Sequence, residues 1–191
     1  QDDAKQIIKM NHTKNIIIID LEATCWNGQI PEGQVNEITE IGICVLDTET
    51  GNITQNEGIL IKNERSEISA FCTELTTITQ ELLDSEGIPF DEACTKLRKE
   101  YDPKQYTWAS YGKYDLNMLK RQCKLRQMEY PMGANHINVK TTFTEVKGLR
   151  KKVGMNGALN ILKIPLEGTH HRGVDDAKNI AKILDWCLKN K

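Results

Sequence analysis

Four consecutive isoleucines at 16–19 run straight into an acid, Asp20. Short, β-branched and wholly apolar, residues 15–20 predict a buried strand. Asp20 leaves the sheet at that strand's C-terminal edge, where open α/β sheets tend to bind ligands. Residues two apart on a strand share a face, so Asp20 and Glu22 present two carboxylates on one side. Like charges that close cost free energy unless something cationic neutralises them. Carboxylate oxygens suit hard divalent cations, and phosphodiester cleavage is a reaction built on such metals. A solvated strand end also looks like this, so the pair needs company.

The 191 residues match the usual length of one domain, and 39% apolar with 27% charged content is ordinary for a globular chain. A net charge of −2 gives no global positive field. Affinity for nucleic acid must then come from local patches or bound metal. The six cysteines, at 25, 44, 72, 94, 123 and 187, form no CxxC pair and no zinc spacing. They read as a reduced set in a cytoplasmic protein. The longest wholly apolar run, 16–19, is far short of a membrane span or signal-peptide core, so no membrane partner is expected. The chain opens on Gln1 and not Met, which leaves the native start open.

Alternation through Ile41, Ile43 and Val45 predicts a second strand over 38–47, TETGN at 48–52 a turn, and 53–61 a third strand. The three make an antiparallel meander. The period then changes: helices are predicted over 90–101, 115–128, 155–163 and 175–189, with strands at 106–110 and 137–140. The expected fold class is α/β, one mixed sheet of a three-strand meander plus parallel strands, flanked by helices, in a single domain over 1–191 with its core at about 15–188.

Asp115 follows the strand at 106–110 and opens a helix. It can serve as an N-cap, and a carboxylate at a helix N-terminus is stabilised as an anion ready to bind metal. Near the end, HHRGVDDA places His171 five residues before Asp176. A helix-start aspartate and a loop histidine at that spacing can serve one site, with the imidazole taking a proton from an attacking water. His170 and Asp175 compete for the same roles, and spacing alone does not separate them. Two basic clusters, 120–126 and 147–152, are either solvated faces or a phosphate track.

Acids in the order DxE, D, HxxxxD resemble the DEDDh branch of the DnaQ-like 3′–5′ exonucleases, and within it the Eri-type 3′–5′ exoribonuclease group. The matching stretches are DLEATCW at 20–26, NEITEIGICVLD at 36–47, FCTELTTITQELLD at 71–84, SYGKYDLNMLKRQC at 110–123 and HRGVDDAKNIAKIL at 171–184. The resemblance implies an RNase H-like fold and a two-metal mechanism. Asp20, Glu22, Asp115 and Asp176 would hold two Mg²⁺ or Mn²⁺ ions, with His171 as general base. It assigns the histidine to His171 and the last aspartate to Asp176, which leaves His170 a bystander. It further implies that the terminal nucleotide lies over Leu21, Ala23 and Thr24, near Tyr114 and Leu116. The expected substrate is the 3′ end of single-stranded nucleic acid, RNA favoured, released as nucleoside 5′-monophosphates. The alternatives are a DNA-directed enzyme of the same chemistry and a catalytically silent binding module. One departure stands out: the family's LTGI reads Leu75-Thr76-Thr77-Ile78, which removes a glycine's backbone freedom.

Overall fold

The isoleucine run is covered on both sides. In the computed structural model, which describes residues 14–191, Ile16 and Ile18 pack with Phe143, Leu159, Ile180 and Leu184. Ile17 and Ile19 face the other way, against Phe90, Leu97, Trp108 and Leu119. Strand β1 (Asn15–Ala23) therefore lies at the centre of a five-stranded sheet. It is flanked by β2 (Ile38–Asp47) and β3 (Ile53–Leu60) on one side and by β4 (Thr107–Ser110) and β5 (His136–Asn138) on the other, in the order β3-β2-β1-β4-β5. The meander pairs antiparallel, and β4 and β5 join parallel.

Helices cover both faces. Those of the predicted helical stretches are α3 (Phe90–Tyr101), α4 (Tyr114–Leu125), α6 (Met155–Leu162) and α7 (Gly173–Lys189). The apolar residues of α3 and α4 join one core, and those of α6 and α7 the other. Three further helices lie where none was expected: α1 (Ala70–Thr76), α2 (Gln80–Glu86) and α5 (Val139–Val146). The first two are capped by Ser69 and Thr79, whose hydroxyls accept the N–H of Cys72 and Leu82. The strand predicted over 137–140 stops at Asn138, because the Asn138 side chain accepts the Thr141 N–H and starts α5 at once.

Strand β1 also runs past Asp20. Pairing with β4 ends at Ile18, whereas pairing with β2 continues to Ala23. The sheet thus opens on one side of β1 alone, and the acids line that opening. Thr77, where the resemblance led one to expect glycine, adopts the left-handed conformation (φ 62°) at the C-cap of α1. Its hydroxyl accepts a hydrogen bond from the Arg172 guanidinium at 3.3 Å, a contact that glycine could not make. The six cysteines are free thiols.

Candidate active site

Strand periodicity puts Asp20 and Glu22 on the face that carries Ile16 and Ile18, the face covered by α7. Their partners across β2 are Gly42 and Glu40. The backbone of α7 lands directly on Gly42: a Cβ there would lie 1.8 Å from the Gly173 carbonyl carbon. That close approach brings Asp176, on the first turns of α7, to the β1 acids. Oxygens of Asp20, Glu22 and Asp176 all lie within 4.8 Å of one another.

Asp115 arrives from the other side, at the start of α4. It is not the N-cap, which is Lys113. Its carboxylate crosses to β1 and accepts the Leu21 N–H at 3.0 Å. Burial pushes Asp115 up to about 6, against the opposing pull of the Leu21 N–H, its own N–H and the Ser110 hydroxyl.

The other carboxylates of the cluster are raised as well. Burial raises Asp20 well above the usual carboxylate range, reinforced by Asp115, Glu22, Asp176 and Glu40. Burial, then Asp176, Glu40 and Asp115, push Glu22 up to about 9, with Arg172 opposing. Asp176 is raised by burial and pulled back by the His171 N–H and His170. A cluster that must take up protons when no cation is present, and offers only hard oxygen donors, fits a divalent-cation site.

The two histidines are placed differently. His171 sits in the left-handed region (φ 65°) and gives its backbone N–H to Asp176 at 2.9 Å. Its ring has no hydrogen-bond partner among the described residues, and burial plus the neighbouring His170 lower its pKa below 6.5. His170 Nδ1 lies 2.9 Å from Asp176 Oδ2, and the two rings stack with centroids 3.9 Å apart. His170 is thus no bystander: one of its ring nitrogens touches an acid of the cluster. Asp175 turns away, accepting the Thr169 N–H at 2.8 Å, while Asp176 faces the cleft.

Asp20, Leu21, Glu22, Tyr111, Tyr114, Asp115, Met155, His170, His171 and Asp176 enclose a cleft of roughly 280 Å³. The family model for "Exonuclease" (RNase_T) matches residues 17–184. The chain belongs to this exonuclease family. It is 34% identical over 185 residues to human "3'-5' exoribonuclease 1", covering 92% of this chain and 52% of that protein. It is 31% identical over 202 residues to "ERI1 exoribonuclease 2" of Xenopus laevis, covering 91% of this chain and 29% of that protein. The chain therefore spans about half of one of these relatives and under a third of the other. The nuclease domain of 3'hExo, a DEDDh family member solved with rAMP bound, matches at a TM-score of 0.85 and 31% identity over 94% of each chain. The mixed five-stranded sheet flanked by helices is the RNase H-like arrangement of these DEDDh nuclease domains.

Within this exonuclease domain all five signature residues meet in one cleft. The five nucleotide-contact residues named from sequence do not. Leu21 and Tyr114 line the cleft, whereas Ala23, Thr24 and Leu116 do not. Thr24 is fully buried; its hydroxyl donates to the Val35 carbonyl at 3.0 Å and accepts the Glu37 N–H at 2.9 Å. That hydroxyl holds the loop before β2. Leu116 packs against the core to which Ala23 belongs. Tyr111 and Met155 line the cleft without having been named.

Sequence reasoning also missed Glu40 and Arg172. Glu40 is fully buried beside Glu22; its carboxylate accepts the Arg172 Nε at 3.1 Å, Arg172 Nη2 at 3.2 Å and the Gly173 N–H at 2.8 Å. This ion pair ties the start of α7 to β2. A signal was present: an acid on the strand next to the DxE strand and an arginine directly after the histidine. Neither position says alone that they meet.

Proposed function

We propose that this chain is a metal-dependent 3′–5′ exonuclease that removes nucleoside 5′-monophosphates from single-stranded ends, with RNA favoured over DNA. The observation that carries this reading is the convergence of four carboxylates and two imidazoles on one open cleft. Asp20, Glu22, Asp115 and Asp176 would hold Mg²⁺ or Mn²⁺. Bound there, such ions supply an acidified water and stabilise charge on the departing oxygen.

The protein's own groups do the rest. His171, with its pKa held down, is neutral near pH 7 and accepts the proton of the attacking water. Its backbone N–H and the His170 ring orient the Asp176 carboxylate. Leu21 offers an apolar floor and Tyr114, 56% exposed, a ring for the terminal base; such stacking contributes ~1–3 kcal/mol per base. Arg150, Lys151 and Lys152 are exposed and have no acidic partner among the described residues. They lie on the loop whose Val153 carbonyl accepts the Tyr111 hydroxyl at the cleft rim, and they suit a polyanion. The preference for RNA is supported by the exoribonuclease names of the relatives and by the rAMP carried by the 3'hExo domain.

The test is incubation with 5′-labelled single-stranded RNA and DNA of one sequence, with Mg²⁺, with Mn²⁺ and with chelator. A descending ladder that needs metal and is blocked by a 3′-phosphate is the expected result. Faster loss of DNA would move the assignment to a DNA-directed enzyme, and cutting of a circular strand would end the exonuclease reading.

A further inference from the structure

The basic cluster at 120–126 separates into Arg126 and Lys120, already engaged, and Arg121 and Lys124, which have no acidic partner among the described residues; of these two, Arg121 lines a groove beside the cleft. Arg126 pairs with Glu37 and Glu64, and Lys120 lies over the Tyr130 ring. Arg121 has no acidic partner among the described residues; its Nη2 contacts only the Met118 sulfur, at 2.8 Å. Tyr114, Asn117, Met118 and Arg121 sit at i, i+3, i+4 and i+7, so they share one face of α4. With Asn36 opposite, they line a groove of roughly 200 Å³. Tyr114 borders both this groove and the acidic cleft.

The groove has the opposite chemistry from the cleft. It contains no carboxylate. It offers a guanidinium with its fork of N–H donors, an aromatic ring and a thioether. The Asn117 side chain has no hydrogen-bond partner among the described residues, and Asn36 spends only its Nδ2, on the Thr24 carbonyl at 2.6 Å. A guanidinium suits a phosphate, and the ring, thioether and amides suit a base. Seven residues of helix put Arg121 ~10 Å along the axis from Tyr114, at the far end of the groove from the cleft.

We propose that this groove receives the penultimate nucleotide of the RNA strand, and that Arg121 grips the phosphate on that nucleotide's 5′ side. The proposal rests on the exonuclease reading, in which the terminal nucleotide fills the acidic cleft and its chain must leave past a rim. Two rims carry cations: α4 with Arg121, and the loop with Arg150, Lys151 and Lys152. The groove beside Tyr114 assigns the exit to α4.

Two RNA dinucleotides with one cleavable bond decide it. One carries a 5′-hydroxyl and so lacks the phosphate that Arg121 would hold; the other carries a 5′-phosphate. In the unaltered protein the 5′-phosphate should raise kcat/KM about tenfold, the worth of one charge-assisted contact. In Arg121→Ala that ratio should fall toward one, through KM and not kcat, and Arg121→Lys should recover part of it. Retention of the full ratio in Arg121→Ala would overturn the proposal. So would its loss in Lys151→Ala or Lys152→Ala instead, which would put the exit over the other rim. If neither dinucleotide nor a longer RNA is cleaved, the exonuclease reading fails by itself. Equilibrium binding of the 5′-phosphorylated dinucleotide then judges the groove: about tenfold weaker binding to Arg121→Ala upholds it, and equal binding overturns it.

Discussion

Gly173, the first residue of α7, lies on Gly42 of β2 with no room for a side chain between them; a Cβ on Gly173 would fall 2.8 Å from the Gly42 nitrogen. Gly42 is the strand partner of Asp20. This backbone contact therefore sets how near Asp176 comes to the β1 acids. Replacing Gly42 by Ala must push α7 outward, since the obstacle is backbone and cannot rotate away. Overpacking of this kind costs about 1–3 kcal/mol, and the metal site should loosen with it. Calorimetric Mn²⁺ titration alongside thermal melting checks this. Unaltered Mn²⁺ affinity in Gly42→Ala would show that the close approach is not what assembles the site.

The carboxylate cluster makes stability depend on pH with an unusual sign. Glu22 is raised from 4.5 to about 9 in the folded protein, and Asp115 from 3.8 to about 6. A raised folded pKa means that the native state holds the proton more tightly than the unfolded chain does. The associated stability is complete below the ordinary carboxylate pKa and is lost as pH climbs through the raised values. With chelator present, Tm should fall between about pH 5 and 9; saturating Mg²⁺ should flatten that slope by replacing the protons. Melting curves across this range with and without Mg²⁺ are the measurement. Parallel curves would show that the acids do not share a cation.

His171 and His170 should separate in kinetics. With His171 as the proposed general base, His171→Ala should lower kcat by ~10²–10⁴, with Mn²⁺ affinity largely kept. His170→Ala should act on the metal side, because its ring contacts Asp176, and should raise the Mn²⁺ concentration needed for half-maximal rate. At saturating metal, the rate of the unaltered protein should rise with pH through an imidazole pKa below 6.5, the direction in which burial and His170 shift His171, and then level off. Exchange of the two phenotypes would give the catalytic role to His170.

Arg172, its side chain 23% exposed, pairs with the fully buried Glu40 beside the site. Removing the guanidinium leaves a fully buried carboxylate with only the Gly173 N–H. Arg172→Ala should cost about 3 kcal/mol, a Tm drop of roughly 6–12 °C. Adding Glu40→Gln should return part of it, because the stranded charge is gone. A double variant no more stable than Arg172→Ala would show that the pair's packing and not its charge matters.

The central strand and most of the helices were legible because their signals are local. Four β-branched apolar residues in a row have few alternatives to a buried strand, and the apolar spacing of α3 and α7 needs no partner to be seen. The same locality hid α1 and α2, each seven residues long, too short to display a helical period. It hid α5 as well, which follows β5 without a turn between them. In the site, the order of five signature residues could be read along the chain, and they do share one cleft. What each neighbour does could not. Thr24 stands two residues from Glu22 yet spends its hydroxyl on a loop. His170 and Asp175 differ from His171 and Asp176 in the partners the fold gives them: the His170 ring meets Asp176, and Asp175 accepts the Thr169 N–H. Glu40 looks like the solvent-facing residue of an alternating strand until α7 arrives and buries it with Arg172. Residue type and spacing are properties of a segment, and they determined which family this chain resembles. Burial, charge pairing and the reach of a side chain arise only when segments distant in sequence pack, and there the tertiary structure decided which residues come together in the cleft.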